Sequence, residues 1–169
     1  MFRFNIRVYG ILRDSKNRVL VSDEFIRGDY FTKFPGGGLE FGEGTRDCLA
    51  REFMEETGLT VTVGDHIYTT DHFQLSAFNK DHQIFSIYYF VHAEEPIALE
   101  TKTKVFDFLP EQVADKTAQC EVFRWIEWDD LTEETVSLPL DKIVVNILKE
   151  KYGNGNTRND NTMLVRSFQ

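Results

Sequence analysis

Hydrophobic and polar residues alternate from the start of the chain. "FRFNIRVYGIL" (residues 2–12) and "RVLVSDEF" (18–25) repeat with a period of two, and the polar run "RDSKN" between them is a turn. This pattern predicts two strands. "DYFTKF" (29–34) predicts a short third strand. "PGGGLEFGEG", Pro35 to Gly44, is too rich in glycine for a regular element and is expected to be a loop. A helix is predicted from Thr45 to Thr57, with Thr45 as its N-cap, Asp47 at its positive end and Gly58 as its stop. "LTVTVGDHIYTTDHF" (59–73) and "HQIFSIYYFVHA" (82–93) are β-branched and aromatic and read as long strands. "FRWIEWDDL" (123–131) reads as another. "PLDKIVVNILKEKYG" (139–153) places Ile143, Val144, Ile147 and Leu148 on one helical face. Strands mixed with two separated helices predict an α/β layered fold. A single domain is expected over residues 1–153, followed by a loose polar tail over 154–169.

The predicted helix carries an unusual load. In "REFMEETGL", Arg51 to Leu59, three glutamates fall within five residues. At about 100° per residue, Glu52, Glu55 and Glu56 share roughly 100° of arc. Leu49, Ala50, Phe53 and Met54 lie on the other side, so one face is expected to be buried and the other to show a ridge of carboxylates. Cys48 falls on the acidic side and reads as a small spacer. Like charges at these spacings cost a helix about 0.2–0.5 kcal/mol per pair. Arg51 can pair with Glu55, but one arginine cannot balance three acids. An isolated Glu-Glu pair is usually a solvated face. Here the glycine-rich loop brings a further acid, Glu43, towards the helix, where a P-loop would carry a lysine. Clustered carboxylate oxygens favour a hard divalent cation such as Mg2+ or Mn2+.

Composition narrows the chemistry further. The chain has 169 residues and a formal net charge of -9, a poor surface for gripping nucleic acid, so no nucleic-acid partner is expected. A small phosphate compound remains a fitting substrate if a metal mediates the contact. The two cysteines, Cys48 and Cys120, form no CxxC pair and suit a reducing cytoplasm. No apolar run approaches the roughly 20 residues that span a bilayer, so no membrane partner is expected. The chain is expected to be cytoplasmic. It could act alone or as a homodimer. His66, His72 and His82 each follow an aspartate but share no metal-binding spacing, and they read as surface histidines.

Gly37, five residues, Glu43, seven residues, then Arg51-Glu52-Phe53-Met54-Glu55-Glu56-Thr57-Gly58-Leu59 resembles the Nudix box of the Nudix hydrolase superfamily. Every fixed position matches, with an aromatic Phe53 where the pattern has a bulky aliphatic residue. The resemblance implies an α/β/α sandwich with a mixed, curved sheet. It implies metal-dependent hydrolysis of a nucleoside diphosphate linked to another moiety, with a small nucleotide as substrate. It assigns Glu52, Glu55, Glu56 and the carbonyl of Gly37 to the metal, and gives Arg51 and Glu43 supporting roles in orienting the glutamates. Glu55 is one candidate general base; Glu94, Glu95, Glu100 and Glu111, on more distant loops, are others. Gly36, Gly37 and Phe34 are the candidate substrate-binding positions, with Phe34 and Tyr30 the aromatics placed near the edge of the site. The region after the box, "DHFQLSAF" (71–78), carries neither the proline of the ADP-ribose branch nor the tyrosine of the diadenosine-polyphosphate branch. That absence favours a nucleoside-triphosphate or general nucleotide pyrophosphatase. The alternative is a non-catalytic Nudix domain that senses a nucleotide or nucleotide-sugar. The intact box and the lack of a basic helix-turn-helix argue against it.

Overall fold

The structure is a computed structural model, and it describes residues 3–77 and 79–153. The expected polar tail at 154–169 lies outside the described residues. Seven strands and two α-helices follow in the order β1 (Arg3–Leu12), β2 (Arg18–Ile26), β3 (Asp29–Lys33), β4 (Gly36–Gly38), α1 (Thr45–Thr57), β5 (Val61–Thr69), β6 (His82–Ala93), β7 (Gln119–Glu127) and α2 (Pro139–Tyr152). One sheet has the order β4-β1-β6-β5 and the other β3-β2-β7. The first is mixed: β1 runs parallel to β6 and antiparallel to β4. β1 and β2 are consecutive in sequence, yet they enter different sheets.

Alternation along these strands divides the core in two. Val8 and Leu12 of β1 pack with Leu49 and Phe53 of α1. Tyr9 and Ile11, facing the other way, pack with Val144, Val145 and Leu148 of α2. One helix therefore covers each side, which gives the expected α/β/α sandwich.

Several local expectations are corrected. Gly36–Gly38 is a strand, paired with β1 through Val8 opposite Gly37. A run of glycines has little strand propensity, so this pairing is imposed by the neighbouring strand. The N-cap of α1 is Gly44; Thr45 is already helical and turns its hydroxyl to that of Tyr89 at 2.9 Å. Gly58 does stop the helix, at φ 70°, with its N–H donating to Met54 O. Met54 is 46% exposed, because it sits at the margin of the buried stripe. Cys48, expected on the acidic side, is fully buried where the box loop folds over that flank, with Sγ 3.4 Å from Gly38 O.

Candidate active site

Arg51 is the centre of the box. Its Nε and Nη2 grip both oxygens of Glu43, at 3.1 and 2.7 Å. Nη1 reaches Glu52 at 3.1 Å and Glu55 at 3.2 Å, and Nη2 also donates to Gly38 O at 3.1 Å. The two-pronged grip on Glu43 is the strong geometry for a guanidinium–carboxylate pair, and it fixes the loop to the helix. The same bonds hold the Glu43 carboxyl down at about 2, helped by the Glu40 N–H, and raise the Arg51 guanidinium above its ordinary value. Burial, with Glu43 nearby, pushes the Cys48 thiol up to about 12, so it is no nucleophile.

The three ridge glutamates do not share one environment. Glu52 and Glu56 line a cleft of about 440 Å³ between the two sheets, together with Arg7, Glu24, Lys33, Gly37 and Gly38. Glu55 does not line it: its side chain is 59% exposed on the outer flank, held by Arg51. The ridge is thus only partly solvent-facing, with the Glu52 side chain just 14% exposed. A Cβ at Gly37 would fall on the Glu52 carboxylate, so only glycine lets that carboxylate lie over β4. Gly36 works from behind the cleft wall. Its N–H donates to Glu56 Oε2 at 3.3 Å and its carbonyl accepts from Lys33 Nζ at 3.1 Å.

Phe34 is corrected. It is fully buried, edge-on to Tyr88 in the core, and cannot touch a ligand in the cleft. Strand alternation turns it inward while its neighbour Lys33 lines the cleft. Tyr30 also stands outside the cleft, in an aromatic cluster with Phe25, Phe106 and Phe108. Glu94, Glu95, Glu100 and Glu111 are exposed and away from the cleft; Glu95 instead accepts the Ser15 N–H at 2.9 Å. His66 and His72 are exposed as expected, and His82 is half-buried.

Three charged residues at this place have no mark in the sequence: Glu24 and Lys33, which line the cleft, and Glu121 beside them. Glu24 and Glu121 stand directly opposite each other on β2 and β7. Like charges in that relation destabilise a sheet. Lys33, buried beneath them, offsets part of this through Glu24 Oε1 at 2.7 Å. Burial opposes its charge, but Tyr9, Glu24 and Glu56 together outweigh the burial and hold the ammonium above the ordinary lysine value. Burial pushes the Glu56 carboxyl up to about 8, with Glu121, Glu52 and Glu24 adding to the effect and Lys33 opposing it. The hydroxyl of Ser22 donates to Glu121.

Among the described residues, no three metal-ligating side chains already converge on one point. The donor chemistry nevertheless fits a hard divalent cation. Glu52 and Glu56 line the cleft together, and burial, with Glu121, Glu52 and Glu24 nearby, disfavours the Glu56 charge, which a bound cation would relieve.

A two-sheet sandwich between helices, with a loop and helix delivering acids to a glycine-walled cleft, defines a Nudix-type domain. The chain matches the NUDIX domain over residues 3–146 and belongs to that family. Solved structures agree on the fold. The E. coli ORF135 protein superposes with a TM-score of 0.63 at 16% identity, over 92% of this chain and 96% of its own. A NUDIX hydrolase from Nitrosomonas europaea gives 0.61 at 17%, covering 86% and 88%. The MutT protein from Methanosarcina mazei Go1 gives 0.61 at 16%, covering 89% and 97%.

Proposed function

We propose that this chain hydrolyses a pyrophosphate bond in a small nucleotide, a nucleoside diphosphate linked to another moiety, in the presence of Mg2+ or Mn2+. The observation that carries the reading is the pair Glu52 and Glu56, turned into a glycine-walled cleft and backed by the Arg51–Glu43 lock. Glu52 and Glu56 would hold the cation, with the main chain of Gly37 beside them and Glu55 at the rim. A cation held there supplies charge neutralisation at the phosphoryl group and lowers the pKa of water. Arg51 keeps Glu52 oriented, and Glu43 keeps Arg51 oriented. The box from Gly37 to Leu59 holds no serine, and its Cys48 is buried with a raised thiol, so water attacks phosphorus and a carboxylate takes its proton. Glu55 stands outside the cleft for this task, while Glu24 lines it and Glu121 faces Glu24 across the strands; separate Glu→Gln variants at the three positions identify the proton acceptor. The family and the acidic surface fit a small nucleotide in the cytoplasm, and no helix among the described residues is long and apolar enough to cross a membrane.

A phosphate-release assay over nucleoside triphosphates and diphosphate-linked sugars, with Mg2+ and with Mn2+, tests the reading. Turnover in oxygen-18 water should place label on phosphorus in one product, in a single turnover as well as in a long reaction. A trapped phospho-protein would overturn the water mechanism. Nucleotide binding without turnover across the panel would overturn the hydrolase reading in favour of a sensing domain.

A further inference from the structure

The cations of the cleft are not equally engaged. Lys33 is committed: it donates to Glu24 and to Gly36 O, and its ammonium lies 5.4 Å from the centre of the Tyr9 ring. Arg7 is different. Its Nε donates to Tyr9 Oη at 3.2 Å, and among the described residues its two terminal nitrogens meet no acceptor within hydrogen-bond distance. The guanidinium is half-buried and lines the cleft. Neither terminal nitrogen is sealed from water, so both N–H edges face the open cleft and can exchange water for the oxygens of an anion.

Its surroundings indicate which ligand. Arg7 lies directly across from Gly38, and a Cβ at that glycine would stand 3.8 Å from Arg7 Nη1. The next glycine, Gly37, lies under the Glu52 carboxylate. Because β4 carries no side chains, nothing on it screens Arg7 from Glu52, and the two charges interact. An anion bound to Arg7 would therefore lie beside the proposed cation site, where a second phosphate of a diphosphate would fall. A guanidinium fork presents two parallel N–H bonds matched to two phosphate oxygens. The Tyr9 hydroxyl fixes its angle from behind.

We propose that Arg7 is a substrate-binding residue, gripping the phosphate of the substrate diphosphate that the Glu52–Glu56 site does not hold. This rests on the proposed pyrophosphate chemistry. Arg7 is thus the residue that selects for two linked phosphates over one.

The test uses the whole chain, inorganic pyrophosphate and inorganic phosphate as probes, and the variants Arg7→Met and Arg7→Lys. Met keeps the length of the apolar stem; Lys keeps the charge without the fork. Calorimetric titration with Mg2+ should show pyrophosphate binding weakened roughly 10- to 100-fold in Arg7→Met, as loss of a charged hydrogen-bonded pair implies, with partial recovery in Arg7→Lys. Phosphate binding should change little. For whichever nucleotide is turned over, KM should rise by a similar factor while kcat falls far less. A purely structural role would lower the melting temperature and leave the ratio of pyrophosphate to phosphate affinity unchanged. Wild-type pyrophosphate affinity in folded Arg7→Met overturns the proposal. So does a wild-type protein that does not prefer pyrophosphate to phosphate. If no nucleotide is hydrolysed but Arg7→Met still loses pyrophosphate, the hydrolase reading fails and the Arg7 assignment stands.

Discussion

At the scale of single residues, the ridge glutamates separate by task. Glu52→Gln and Glu56→Gln should each lower turnover by roughly a hundredfold or more, because each removes an oxygen of the proposed cation site. Both variants should stay folded, since each relieves like-charge repulsion without opening the core. Steady-state rates beside thermal melts check this, and near-wild-type turnover in both would sink the metal reading. A second prediction concerns Asp141, buried at the start of α2. It accepts a hydrogen bond from Tyr88 at 2.6 Å on Oδ1, while Oδ2 is buried with no hydrogen-bond partner among the described residues. Burial pushes its carboxyl up to about 7 from an ordinary 3.8. A raised carboxyl favours the folded state in its protonated form. The stabilisation is full below about 3.8 and is lost as pH rises through about 7. The urea midpoint should therefore fall between pH 4.5 and pH 8, with Glu56 adding a loss of the same sign, and the fall should be shallower in Asp141→Asn. An equal slope in the two proteins would show that Asp141 does not titrate in this window. The box residues were legible from sequence because their spacing lies within one loop and one helix. Glu24, Glu121 and Arg7 were not: Ser22 and Glu121 meet across 99 positions, and strand register sets such meetings.

Elements carry two further expectations, both built on glycine. In Gly37→Ala the new methyl would displace the Glu52 carboxylate, so activity should drop sharply while the melting temperature moves little. In Gly10→Ala the methyl would stand 2.6 Å from the Phe53 ring, where α1 rests on β1. That crowding should cost about 1–3 kcal/mol of stability, as overpacked cores do. Denaturant midpoints and turnover measured on both variants should show the effects divided in this way; a Gly37→Ala protein with normal activity would mean that Glu52 need not lie over β4. Helix α1 was readable to its ends because apolar spacing and Gly58 mark it. Its cap and the strand β4 were not, since a glycine run has no propensity of its own and pairs only because β1 presents an open edge.

For the whole molecule, millimolar Mg2+ or Mn2+ should raise the melting temperature, because an ion bound only by the folded form stabilises it. The rise should shrink in Glu56→Gln. A melting curve unmoved by either metal, with or without a nucleotide, would reduce the ridge to a charged surface. The layered class was legible from alternating strands and two amphipathic helices, but the division into two sheets was not. Nothing in the local pattern says that β1 leaves β2 to run parallel with β6. The triglycine strand also bears on how such an enzyme could diverge. Gly36 is closed to a side chain by the Val8 carbonyl and by its φ of 133°, and a side chain at Gly37 would enter only by displacing the Glu52 carboxylate. Gly38 is the one of the three where a Cβ displaces nothing, and that room adjoins Arg7. A lineage that drifts along this wall therefore has one position to explore without disturbing Glu52, and its first step there alters the neighbourhood of Arg7. Wider changes of diet must arise elsewhere around the cleft, on β1, in residues 74–77 or at the entry to α2.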